Sequence, residues 1–89
     1  MFCINDDLAY GAIFESQRRH IRIPQQLAVA GFNDLEASAC INPSLTSIAT
    51  PLYEIGKMSA EMLMRRLDGE KIDDPVVDLG FRLQARESA

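Results

Sequence analysis

One apolar run constrains this chain more than any other feature. Leu27-Ala28-Val29-Ala30-Gly31 is continuously apolar and bounded by turn-forming residues. Such a run suits a parallel strand covered on both faces better than a half-exposed strand, which would alternate. Ahead of it, Phe2-Cys3-Ile4 is a second, shorter strand-like run that stops at Asn5-Asp6-Asp7. Asn and Asp cap the free N–H groups of a starting helix, so these three residues predict a strand-to-helix turn. Leu8, Ala9, Ala12 and Ile13 then recur at helical spacing, with the helix ending near Arg19-His20 and Pro24 in the connection. Strand, helix, loop and strand make one βαβ unit with a right-handed crossover. The class is α/β with a parallel sheet.

The remainder continues that scheme. Phe32 to Pro43 has little periodicity and follows the C-terminal end of a parallel strand, where open α/β sheets place ligand loops. Ser44 to Thr50 alternates and reads as an extended segment. Thr50-Pro51 predicts a helix opening, with Thr as cap and Pro at the first helical position. Leu52, Ile55, Ser59, Met62, Leu63 and Leu67 line one face, and Gly69 stops the helix. Met58, Met62 and Met64 read as adaptable packing, partly at a subunit contact. After the polar loop Glu70–Pro75, Val77, Leu79, Phe81, Leu83 and Ala85 alternate with polar residues, which predicts a half-buried strand bent at Gly80.

Composition narrows the function. With 89 residues the chain is one small domain at most, and its core is thin. A net charge of −4 argues against nucleic-acid binding by this chain alone, because phosphate neutralisation needs a basic face. Arg18, Arg19, His20 and Arg22 form the cationic cluster, at a helix end whose dipole favours positive charge. Cys3 and Cys40 are expected as reduced, buried thiols. A single His and no CxxC leave no metal site, and no cofactor is called for. No apolar run approaches a membrane span, and without a secretory leader the expected compartment is the cytoplasm. Met1-Phe2-Cys3-Ile4 nevertheless begins directly inside an apolar run, as the interior of a longer protein would.

Asp6-Asp7 could be taken for paired catalytic carboxylates. Adjacent helical residues do not face each other, and neither has a nucleophile or base beside it. Capping and dipole complementarity account for both. No catalytic residue is assigned. What remains is a polar ligand site: Asn5 after the first strand, Asn33 and Asp34 after the second, and Thr50 at the end of the extended segment. These emerge on one sheet edge, able to bind a polyhydroxylated ligand. From spacing alone the same residues serve equally well as turns and caps.

The segments themselves are familiar. Phe2-Cys3-Ile4-Asn5-Asp6-Asp7-Leu8-Ala9-Tyr10-Gly11-Ala12 resembles the "FCxNDxxAxGA" block of LacI/GalR transcription repressors. Ile23 to Asp34 resembles their "IPxDvxvvGfDd" block, and Pro43 to Ile48 resembles "PxLTTi". Ile55-Gly56, Leu67-Asp68-Gly69 and Arg86-Glu87-Ser88 also match. The resemblance implies the C-terminal portion of a periplasmic-binding-protein-like type I domain, two α/β lobes around a cleft. Residues 1–43 would belong to the second lobe, 44–51 to the crossover, 52–75 to a first-lobe helix and loop, and 76–89 to terminal strands. An N-terminal helix-turn-helix domain, absent here, would contact operator DNA.

By the same resemblance Asn5, Asn33 and Thr50 are effector contacts, with Asp34 beside them, in a homodimer without enzymatic activity. Asn33 stands where the family usually has Asp. An uncharged amide tolerates an anionic ligand that a carboxylate would repel, and "GFN" is similar to gluconate-utilisation repressors. The expected effector is a sugar or sugar acid, gluconate or a relative. The alternatives are a sugar-binding protein of an uptake transporter, which shares the fold, and a truncated remnant without function.

Overall fold

The computed structural model describes residues 1–89, in two compact units: Met1–Thr50 with Arg82–Ala89, and Pro51–Phe81. In the first unit, helix α1 spans Asp6–Arg18. Strands β1 (Ala30–Phe32), β2 (Thr46–Ala49) and β3 (Arg82–Gln84) form one sheet in the order β1-β2-β3. β1 and β2 are parallel, with Ala30 opposite Thr46; β2 and β3 are antiparallel, with Ile48 opposite Leu83. Phe2 bridges Ala30 in parallel on the far side of β1. The expected βαβ unit is therefore present, running from Phe2 through α1 to β1.

Helix α1 begins and ends as its sequence dictates. Asn5 is the N-cap, and its side chain accepts the Leu8 N–H at 2.9 Å. At the other end His20 takes a left-handed conformation, φ 59°. Its N–H bonds to the Gln17 carbonyl and that of Ile21 to the Ser16 carbonyl, the paired closure of a Schellman motif. The buried face of α1 carries Ala9 and Ile13, which pack with Val29 and Leu45 as a four-residue core. Tyr10, Ala12, Ile23 and Leu27 surround it, half-buried.

The C-terminal residues complete this unit. Ser88 is fully buried between the segments that precede β1 and β2. Its N–H bonds to the Ser44 carbonyl, and its carbonyl accepts the Val29 N–H, both at 2.9 Å. Its hydroxyl donates to the Val29 carbonyl at 2.6 Å and accepts the Thr46 N–H at 2.8 Å. This explains one departure from expectation. The strand foreseen at 27–31 is observed at 30–32, since Val29 pairs with the C-terminal tail rather than with β2.

The second unit holds helix α2, Leu52–Leu67, closed by a Schellman motif at Gly69 (φ 85°). Its N-cap is Pro51, without a side-chain cap, and the Ile55 N–H reaches the Pro51 carbonyl at 2.9 Å. The expected Thr50 cap is not formed. No residue of α2 is buried, and Leu52, Leu63, Met64 and Leu67 are all more than half exposed. The strand foreseen from 77 to 85 is cut short. Gly80 adopts φ 79°, and its N–H bonds to the Asp78 carboxylate, a turn that leaves only 82–84 in the ladder. A 3-10 turn at Glu36–Ala39 was not foreseen. Both cysteines are free and neither is buried: Cys3 is half-buried, and Cys40, at the end of that turn, is exposed. No helix is long and apolar enough to cross a membrane.

Candidate functional site

Register brings two of the expected residues to one edge. Phe2 and Ala30 are paired in parallel, and Asn5 and Asn33 each follow by three positions. Thr50 follows β2, the other parallel neighbour of β1, and its hydroxyl lies 3.4 Å from Asn33 Oδ1 as donor. Asn5, Asn33 and Thr50 are all half-buried at the carboxyl ends of parallel strands, where open α/β sheets bind ligands. The oxygens of both amides are engaged by the chain, Asn5 by the Leu8 N–H and Asn33 by Thr50. Their NH2 groups remain to donate.

Asp34 sits differently. Its Oδ1 lies 2.7 Å from Arg86 Nη1, in a pair whose side chains are only 15% and 19% exposed. The contact is ionic without hydrogen-bond alignment, and Arg86 Nη1 donates one of its N–H groups to the Leu45 carbonyl at 2.7 Å. The Arg86 main chain is also fixed, its N–H donating to Thr46 Oγ1 at 2.8 Å. A carboxylate at the edge is thus offset by a guanidinium from the terminal segment.

The backbone here is unusual. Asn33 and Asp34 both have positive φ, 96° and 53°. Non-glycine residues seldom take such values in succession, and Asn and Asp tolerate them best. The conformation persists because three consecutive N–H groups are held. That of Asn33 reaches the Ile48 carbonyl (2.8 Å), that of Asp34 the Ser47 hydroxyl (3.0 Å), and that of Leu35 the Asp6 carboxylate (2.8 Å). Strain over-determined by its surroundings is characteristic of ligand sites.

The sequence accounts for Asp6 only as a capping and helix-dipole residue. It is instead fully buried and accepts from Ser38 Oγ, from Ser47 Oγ at 2.6 Å and from the Leu35 N–H. The partners lie 29 to 41 positions away in sequence, beyond the reach of any local pattern. The available signal was Gly31, whose missing side chain leaves room for the carboxylate. No cluster of His, Cys, Asp and Glu able to hold a metal ion is present.

A family model for the periplasmic binding protein-like domain matches residues 1–89. The chain belongs to that family. Its relatives and structural neighbours are LacI-type transcription regulators, as the sequence blocks implied. It is 49% identical over 88 residues to the HTH-type transcriptional regulator GntR of Pseudomonas aeruginosa, covering 99% of this chain and 26% of that protein. The crystal structure of the regulator GntR from Chromobacterium violaceum superposes with a TM-score of 0.85 at 49% identity, over 98% of this chain and 32% of that one. A periplasmic binding protein/LacI regulator from Alkaliphilus metalliredigens, complexed with D-xylulofuranose, gives a TM-score of 0.88 at 26% identity, over 98% and 33%. The chain thus spans about a quarter of the curated relative's length.

Proposed function

We propose that this chain is the effector-sensing C-terminal part of a LacI-type cytoplasmic repressor, and that its effector is a sugar acid such as gluconate. The observation that carries this reading is the edge formed by Asn5, Asn33 and Thr50 at the carboxyl ends of parallel strands. Two amide NH2 groups offer donors, and the Thr50 hydroxyl oxygen an acceptor, to a polyhydroxylated ligand without a negative charge among them. Asp34 belongs to the same edge, with its charge offset by Arg86. Likeness to GntR regulators supports the same class. Residues 1–43 would lie in one lobe, 44–51 in the crossover and 52–75 in the other lobe. An N-terminal DNA-binding domain would be supplied by the remainder of the regulator, working as a homodimer. The effector acts only through its differential affinity for the lobe arrangements that hold or release DNA. No catalytic step is involved.

The test is calorimetric titration of gluconate, glucose and ribose into the intact regulator and its Asn33→Asp variant. Gluconate is expected to bind the parent and to lose about tenfold or more in affinity to the variant, through like-charge repulsion at close range. Equal gluconate affinity in both proteins would overturn the charge argument. Preference of the parent for a neutral sugar would overturn the sugar-acid assignment.

A further inference from the structure

We propose that Asp6 is the positioning residue of the effector edge: one buried carboxylate ties together the three segments that carry Asn5, Asn33 and Thr50. The inference rests on the effector reading above for its functional consequence, but its structural content is independent of that reading.

The connections are direct. Asp6 follows Asn5 in the chain and opens α1. Its Oδ2 accepts the Leu35 N–H, two residues after Asn33, and the Ser38 hydroxyl within the 3-10 turn. Its Oδ1 accepts the hydroxyl of Ser47, on β2, three residues before Thr50. The Ser47 oxygen in turn accepts the Asp34 N–H, so the carboxylate holds two consecutive amides of the loop, one directly and one through Ser47. Because the Ser38 proton goes to Asp6, the Tyr10 hydroxyl 2.7 Å away donates to Ser38 and extends the chain to the next turn of α1. Asp6, Ser38 and Ser47 are all 0% exposed.

A carboxylate suits this position better than its amide. Three donors converge on it: the Leu35 N–H cannot reverse, and the Ser47 hydroxyl, whose oxygen already accepts from Asp34, needs an acceptor for its own proton. An acceptor-only group satisfies all of them, whereas an Asn would place an NH2 against one. The loop it holds carries the positive-φ pair Asn33-Asp34, a conformation that reverts unless its N–H partners stay in place. Pre-ordering of this kind lowers the cost of binding, since the ligand need not order the loop itself.

The test uses the intact regulator and its Asp6→Asn, Ser47→Ala and doubly substituted forms. Two readouts are taken: amide hydrogen exchange at Leu35 relative to Ile13, and gluconate titration of the folded protein. Exchange at Leu35 is expected to quicken at least about tenfold in Asp6→Asn while Ile13 follows only global stability. Gluconate affinity should fall about tenfold, and the double variant should lose less than the product of the single losses, because both act on one network. A lowered Tm with unchanged relative exchange and unchanged affinity would overturn the proposal, leaving Asp6 a purely structural group. Should Asp6→Asn fail to fold, Ser38→Ala and Ser47→Ala, each removing one donor, are held to the same two readouts. If the parent binds no gluconate, the effector reading fails, and Leu35 exchange alone decides the positioning role.

Discussion

The carboxylate of Asp6 occupies the space that a β-carbon on Gly31 would need. A methyl group there would overlap Asp6 Oδ1 and stand 3.0 Å from Leu45 Cδ2. Neither neighbour can retreat cheaply, since Asp6 is held by three donors and Leu45 is a fully buried core residue. Gly31→Ala is therefore expected to destabilise the regulator by about 1–3 kcal/mol, the usual cost of overpacking. Thermal denaturation reads the loss. An unchanged Tm would mean that the carboxylate moves aside freely.

Ser88→Ala should be costly for a different reason. The hydroxyl both donates to the Val29 carbonyl and accepts the Thr46 N–H, and the residue is fully buried. Removing it leaves a buried donor without a partner, worth about 1–3 kcal/mol. Urea denaturation of Ser88→Ala beside an exposed control, Ser59→Ala, would measure it; the control should stay within about 0.5 kcal/mol.

Acid should weaken the clasp at the C-terminal end. The Glu87 carboxyl is held below its ordinary 4.5, first by the Ser44 N–H and then by the Ser44 hydroxyl. A depressed folded value means that the stabilisation is fully present above the unfolded value and is lost as pH falls through the folded one. The window therefore lies below pH 4.5. An NMR titration of the Glu87 carboxyl should give a midpoint under that of a model Glu, and Ser44→Ala should raise it. A midpoint unaffected by Ser44→Ala would show that the bond is not maintained in solution.

Both helices could be read from the sequence because periodicity persists over many residues, although the Thr50 cap expected for α2 does not form. Asn5 caps α1 as its position predicted, and Gly69 ends α2. The strands were less legible. Leu27 to Val29 are as apolar as a central strand should be, yet Val29 is claimed by Ser88, far away in the chain. The alternation after Val77 was real, but the Asp78–Gly80 turn overrode it. At the site, sequence reasoning gathered Asn5, Asn33 and Thr50 because strand ends are local features. It missed the Arg86 partner of Asp34 and the Ser38 and Ser47 partners of Asp6, since such pairings depend on tertiary register alone.

The left-handed backbone at Asn33 limits which residues can stand there. With φ 96°, Gly, Asn and Asp are the practical choices. Among these, Asn and Asp have nearly the same shape and differ by an NH2 in place of an oxygen. On the proposed reading of Asn33 as a ligand contact, a lineage of such proteins can change the charge at this position by a single isosteric replacement, leaving the path of the chain as it was. Diversification of the ligand would then be gradual in structure and abrupt in chemistry.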